Sequence, residues 1–156
     1  MRIYLTGFMG SGKTTVGRIL AAKMRTDFLD LDQRIEQSAQ KSIAEIFQEF
    51  GEGGFRKLET ATLHSIKAEN AVVATGGGCF IHNTEWMLAN GSVVYLEVPF
   101  SALASRIGAD PKRPLWRNAE PLFAERESIY KKAHFTVDGT LPPEKICTQV
   151  IQYLKM

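Results

Sequence analysis

Residues 2–15 read RIYLTGFMGSGKTT, and the order of residue types within them decides the architecture of the chain. RIYLT is short, rich in β-branched and aromatic side chains and only weakly alternating, the pattern of a strand buried on both faces. Glycines 7, 10 and 12 follow, then Lys13 and Thr14, and TTVGRILAAKM continues with helical spacing. Gly7, Gly12, Lys13 and Thr14 satisfy the pattern G-x-x-x-x-G-K-S/T, and the strand before and helix after supply the context that gives the pattern meaning. Glycines let such a loop turn its N–H groups inward, and the helix beginning near Lys13 adds the positive end of its dipole. A loop of this kind holds nucleotide phosphates. Gly10, Ser11, Gly12, Lys13, Thr14 and Thr15 are its expected contacts, with Lys13 reaching the β- and γ-phosphates and the Thr14 hydroxyl ligating Mg²⁺.

Outward from this loop, strand-like runs recur at 2–6, 27–31, 70–75, 91–98 and 134–138. Helical patterns fall between them at 13–25, 32–37, 42–49, 54–68, 83–89, 100–107, 119–132 and 142–155. Strands alternating with helical crossovers predict an α/β fold, a five-stranded parallel sheet covered on both faces in three α/β/α layers. Two stretches interrupt the alternation. GEGG (51–54) breaks a helical pattern, and GADPKRPLWRNAEP (108–121) gathers Pro, Gly and basic residues where a lid would project. With 156 residues and no linker or repeat, one domain spanning 1–156 is expected.

Composition removes several classes of function. The formal charge is only +2, without a basic stripe, so no nucleic-acid partner is expected. Cys79 and Cys147 lie far apart without metal-ligand spacing, which disfavours a zinc site or a disulfide framework and suits a reducing cytoplasm. The N-terminal apolar stretch is cut by glycines and a lysine too early for a signal segment or membrane span, so no membrane partner is expected.

Other polar residues cluster at predicted strand ends. In FLDLD, Asp30 and Asp32 share a parity and face one side if the chain stays extended, with Asp30 at the carboxyl end of the second strand beside the phosphate loop. Asp32 also suits the N-cap of the helix that follows, and capping is compatible with ligand binding. Arg56 and Glu59 stand at i and i+3 on one helix face, which in isolation is an ordinary surface pair. Its meaning changes beside Gly76, Gly77 and Gly78, which follow a buried strand at the same sheet edge. A tight turn needs one glycine or two, so the third suggests close approach by a small molecule.

Taken together, GFMGSGKTTVG, FLDLD, FRKLE, ATGGG, RPL and a late arginine followed four residues on by tyrosine resemble the shikimate kinase family over nearly the whole chain. The resemblance implies a P-loop NTPase of the nucleoside-monophosphate-kinase type, with a substrate-binding subregion at about 32–60 and the lid at about 108–121. It implies MgATP-dependent phosphorylation of a shikimate hydroxyl, a step of chorismate and aromatic amino-acid biosynthesis; with no long apolar helix face left over once the sheet is covered, a monomer is expected. By the same resemblance Lys13 and Thr14 handle the ATP phosphates and Mg²⁺, and Asp30 meets the metal through water. Asp32 binds shikimate hydroxyls and orients or deprotonates the one being phosphorylated. Arg56 and Arg126 clamp the carboxylate, and Gly77 and Gly78 offer N–H groups. Arg113 approaches the transferring phosphoryl group, while Arg106 and Pro143 flank the adenine. Against the family pattern, the stretch from Arg113 to Arg126 is several residues short, RPLW replaces RPLL, and ESIY stands for a Pro-Leu-Tyr ending. A same-fold kinase acting on gluconate or a nucleoside monophosphate, and a nucleotide-binding switch without transfer activity, are the competing readings. His64, His82 and His134 share no spacing and are expected to be structural, Trp86 to pack, Trp116 to belong to the lid, and Cys79 to act as a small apolar filler.

Overall fold

The computed structural model describes residues 1–107 and 119–155. Five strands, β1 (Arg2–Thr6), β2 (Asp27–Asp30), β3 (Ala71–Ala74), β4 (Ser92–Glu97) and β5 (Phe135–Asp138), form one sheet in the order β2-β3-β1-β4-β5. Every pairing is parallel. The helices are α1 (Lys13–Met24), α2 (Leu31–Ala39), α3 (Ile43–His64), α4 (Cys79–His82), α5 (Thr84–Asn90), α6 (Phe100–Ile107), α7 (Ala119–Tyr130) and α8 (Pro143–Lys155). The architecture is the expected three-layer α/β/α fold. Alternate strand residues feed two cores. Ile3, Leu5, Val72, Val94 and Leu96 pack under α1 and α8, whereas Tyr4, Val73, Val93 and Tyr95 pack with residues of α2, α3, α4, α5 and α7.

Register sets the site. Leu5 and Asp30 both pair with Ala74, so β1, β2 and β3 end at one level. The connection leaving β1 runs toward β2, and the one leaving β3 crosses to β4 on the other side. In parallel sheets ligands bind outside the carboxyl ends where connections diverge in this way. Both glycine-rich turns, 7–12 and 76–78, lie at that divergence.

Local chemistry fixes the helices that carry polar residues. Gly12, in the left-handed region at φ 97°, starts α1, and Arg25 at φ 55° ends it with its N–H on the carbonyls of Ala21 and Ala22. A Cβ on Gly17 would stand 2.5 Å from the Phe28 ring, so α1 can lie this close to β2 only with glycine there. A reciprocal capping box starts α3, in which Ser42 Oγ accepts from Glu45 N–H and Ser42 N–H donates to Glu45 Oε1, both at 3.1 Å.

Three local expectations are corrected. Asp30, not Asp32, caps α2, because the helix begins one residue earlier than its polar pattern suggests and Asp30 accepts from Gln33 N–H at 3.2 Å. The chain therefore turns helical at Leu31, and shared strand parity is not what brings the two acids together. The GEGG break is narrower than expected. Only Gly51 departs from helical geometry, at φ 71° and ψ −179°, so within α3 two helical segments meet at a sharp kink at that one residue, and the second ends at His64 rather than at 68. Finally, residues 119–121 of the predicted lid form the start of α7, while 108–118, with Arg113 and Trp116, lie outside the described residues.

Candidate functional site

A cavity of about 860 Å³ opens at the carboxyl edge of the sheet, bounded by loop residues 9–15, by Asp30 and Asp32, by residues 74–77 and by Arg106. The phosphate loop is braced from within. Ser11 N–H donates to the Phe8 carbonyl at 3.1 Å, and Lys13 Nζ donates to the carbonyls of Gly7 at 2.5 Å and Phe8 at 3.2 Å. It is also braced from outside. Arg106 donates from Nη1 to the Gly10 carbonyl at 3.1 Å and from Nη2 to the Gly139 carbonyl at 3.2 Å, tying the loop to the β5–α8 turn. Pro143, exposed, opens α8 four residues beyond Gly139. Its ring pre-sets the backbone for a first helical turn, where its missing N–H costs nothing.

The second half of the site is organised by the turn after β3. An ideal Cβ on Gly76 would stand 2.9 Å from Asp32 Oδ1, one on Gly77 3.3 Å from Arg126 Nη1, and one on Gly78 2.4 Å from Arg56 Nη2. Three consecutive glycines thus each carry one charged side chain, delivered by α2, α7 and α3 in turn. A Cβ at 76 or 78 would displace its partner, and one at 77 would press on Arg126.

These charges sit away from water. Arg126 is 5% exposed, the Arg56 side chain 12%, and Glu59 0%. Glu59 Oε1 accepts from Arg56 Nη1 at 2.9 Å, and Glu52 Oε1 lies 3.6 Å from Arg56 Nη2. Asp32 Oδ1, Arg56 Nε and Glu59 Oε2 are three of the eight buried side-chain atoms without a hydrogen-bond partner among the described residues. Buried polar atoms are nearly always paired, so the unpaired Asp32 oxygen at the cavity wall, with charged orphans on neighbouring Arg56 and Glu59, suits a polar ligand.

The surroundings also set protonation. Burial pushes the Asp32 carboxyl above its ordinary range, reinforced by Asp30 and opposed by Lys13 and Arg56. Burial likewise raises Glu59 despite the adjacent Arg56. Two acids confined beside two guanidinium groups form a polar nest in which a carboxylate more basic than usual faces the phosphate loop. Burial raises the Cys79 thiol well above its normal value, so it stays protonated and fills space, as its position in the core suggests.

For Mg²⁺, the donor set is small. Thr14 and Asp30 both border the cavity, and no group of three or more His, Cys, Asp or Glu gathers among the described residues. That fits a metal carried in with a nucleotide, since Mg²⁺ keeps several waters and takes only one or two protein oxygens besides phosphate.

Of the residues singled out in the sequence, Gly10 to Thr15, Asp30, Asp32, Gly77 and Arg106 border one cavity, and Arg56, Arg126 and Gly78 adjoin it through the glycine turn. Two contributors were not legible. Glu59 was read only as a partner of Arg56, and nothing in its spacing told of complete burial. Tyr130 was noticed only for its distance from Arg126, yet its hydroxyl donates to the Gly77 carbonyl. Their i, i+4 spacing, which places both on one face of α7, was the available signal. His134 and His64 have structural partners. His134 Nδ1 accepts from Val93 N–H at 3.0 Å, and His64 stacks on Trp86 at 4.2 Å.

A phosphate loop at the divergence of a parallel sheet, facing a pocket of carboxylates and guanidinium groups, places the chain among the P-loop kinases of small molecules. Comparison with known proteins narrows the class. The family model described as shikimate kinase matches residues 9–155. Shikimate kinases of Bacillus cereus (strain G9842) and Aquifex aeolicus (strain VF5) are 38% and 37% identical, covering 98% and 99% of this chain and 95% and 96% of their own. The chain belongs to the shikimate kinase family. Its backbone agrees: the Aquifex aeolicus crystal structure superposes with a TM-score of 0.91 over 99% of this chain and 96% of that one. Shikimate kinase from Acinetobacter baumannii in complex with shikimate, 37% identical, gives 0.90 over 98% and 92%. A sugar kinase from Janibacter sp. HTCC2649, 16% identical at a TM-score of 0.63, shares the fold alone.

Proposed function

We propose a division of labour within the cleft for the reaction of this family, in which ATP phosphorylates a hydroxyl of shikimate to give shikimate 3-phosphate and ADP. The chain is an ATP-dependent kinase, and its loop of residues 7–15 takes the triphosphate. Lys13 leaves its carbonyl partners to meet the β- and γ-phosphates, and Arg106 with Pro143 borders the adenine. Mg²⁺, held by Thr14 and through water by Asp30, neutralises charge on the phosphate oxygens when bound. The acceptor lies on the Gly76–Gly78 turn, within a subregion at about 32–60 and the domain 1–156. Arg56 and Arg126 bind its carboxylate, since guanidinium forks suit carboxylates bidentately. Asp32 accepts hydrogen bonds from the hydroxyls and takes the proton of the one attacked, a role its raised basicity favours.

The observation that carries this reading is the seating of Asp32, Arg126 and Arg56 on three successive glycines beside the phosphate loop. A base and a two-pronged carboxylate clamp at that spot match a small acidic polyol. Phosphoryl transfer then asks mainly for alignment and positive charge, to which Arg113 is assigned from the family pattern. No helix among the described residues is long and apolar enough to cross a membrane, and a cytoplasmic monomer is the proposed state.

An ADP-release assay with MgATP and a panel of shikimate, gluconate and nucleoside monophosphates tests the assignment. Turnover confined to shikimate is expected. Preference for gluconate or a nucleotide would overturn the acceptor assignment, and tight ATP binding without turnover on any acceptor would overturn the catalytic one.

A further inference from the structure

The buried hydroxyl of Tyr130 has a task that packing does not explain. The ring is fully buried and stacks on Tyr95 at a centroid distance of 5.0 Å. A phenylalanine would fill that space equally well, yet the hydroxyl donates to the Gly77 carbonyl. Burial pushes its pKa up to about 12, so it remains a donor throughout the neutral range, with the Arg126 guanidinium beside it.

The bonded carbonyl belongs to the peptide between Gly77 and Gly78. Peptides flanked by two glycines rotate most freely, because neither neighbour has a Cβ to restrict it. In a trans peptide the C=O and the following N–H point in opposite directions, and the described chain has no cis bond. Fixing the Gly77 carbonyl toward the Tyr130 hydroxyl therefore turns the Gly78 N–H to the side away from Tyr130. Among the described residues, neither the Gly77 nor the Gly78 N–H donates to another backbone group. Both are left for something else.

We propose that Tyr130 is a positioning residue: through one hydroxyl it locks the Gly77–Gly78 peptide so that the Gly78 N–H faces the acceptor carboxylate, and it couples that aim to Arg126. This rests on the acceptor site proposed above. Arg126 and Tyr130 stand one helical turn apart on α7, so guanidinium and amide approach the carboxylate as one rigid unit. The glycine turn supplies closeness, and α7 supplies the orientation that glycine lacks.

Tyr130→Phe tests the idea, with folding checked by circular dichroism and ATP binding. The KM for shikimate is expected to rise about five- to tenfold, with kcat and the KM for ATP within about twofold, the size of one neutral hydrogen bond. The penalty should disappear with shikimate methyl ester, which lacks the anionic carboxylate. In a double-mutant cycle with Arg126→Lys the two effects should be non-additive. An unchanged KM for shikimate in Tyr130→Phe, while Arg126→Lys raises it, would overturn the positioning role and leave the site intact. An equal penalty for acid and ester would reduce Tyr130 to packing. If Arg126→Lys itself left the KM unchanged, the acceptor site, not the tyrosine, would be misplaced.

Discussion

The two halves of the cleft are built by opposite means. The phosphate half is one continuous loop whose binding groups are mostly backbone, whereas the acceptor half gathers side chains from α2, α3 and α7 onto a turn that contributes almost none of its own. A contiguous loop carries its geometry in its own residue types. A convergent pocket depends on helices that meet only after the sheet has formed, so its parts are separable in a way that the loop's are not.

The largest effect should come from the phosphate half. Lys13→Ala removes the loop's cation, and a fall in kcat of about 10³-fold or more is expected, the scale seen when charge stabilisation at a transferring group is lost. Steady-state ADP release measures it, and a fall of less than tenfold would mean that the two halves share the charge more evenly than their construction suggests. Asp32→Asn should lower kcat by about 10²- to 10⁴-fold, the range of a general base, with ATP affinity by titration calorimetry within about twofold.

Asp32 also has a pH signature. Its folded pKa is raised above the ordinary 3.8. The folded state therefore holds this proton more tightly than the unfolded one. The resulting stability is fully present below 3.8 and is lost as pH rises through the folded value. At neutral pH the ionised group carries the cost of burial without that compensation. Urea midpoints at acidic and neutral pH should show the wild type losing more stability than Asp32→Asn on this ascent, and equal changes would show that burial does not perturb the group.

The acceptor half can be broken without touching the loop. In Gly78→Ala the new methyl group would meet Arg56 at 2.4 Å and displace the guanidinium. Overpacking on that scale costs about 1–3 kcal/mol, hence a rise of about five- to 150-fold in the KM for shikimate. An unchanged KM for ATP is the control, and a matching rise there would show the halves to be mechanically joined. The smallest effect belongs to Gly53, inside α3, where an added Cβ meets nothing within 4 Å. Gly53→Ala should stabilise the protein by about 0.5–1 kcal/mol, read as a few degrees in Tm, with the kinetic constants unchanged. An accompanying loss of kcat would show that the looseness of this helix serves turnover.

The same contrast explains what the sequence disclosed. Strand order of type, the phosphate loop and the helix after it were legible because each depends on neighbours within a few residues. Asp32 was placed correctly at the cleft for an incomplete reason: strand parity was invoked, but the chain turns helical at Leu31 and Asp30 takes the cap. The four-residue α4 was missed, since its residues follow the glycine turn without a full turn of apolar repeat. Glu59 looked like half of a surface pair because spacing along a helix says which residues share a face, not which face is buried. The helices packed against α3, namely α2 and α4, come from other parts of the chain, and no spacing rule along α3 reveals them.

The three-glycine floor carries a consequence for inhibitors. Every missense change in a glycine codon adds at least one carbon, and at 76 and 78 that carbon would come within 2.9 Å of Asp32 and 2.4 Å of Arg56, the proposed base and one of the proposed carboxylate ligands. A compound resting on this floor in place of the proposed acceptor therefore meets a surface where substitutions at 76 and 78 disturb the same two side chains that the acceptor is proposed to use.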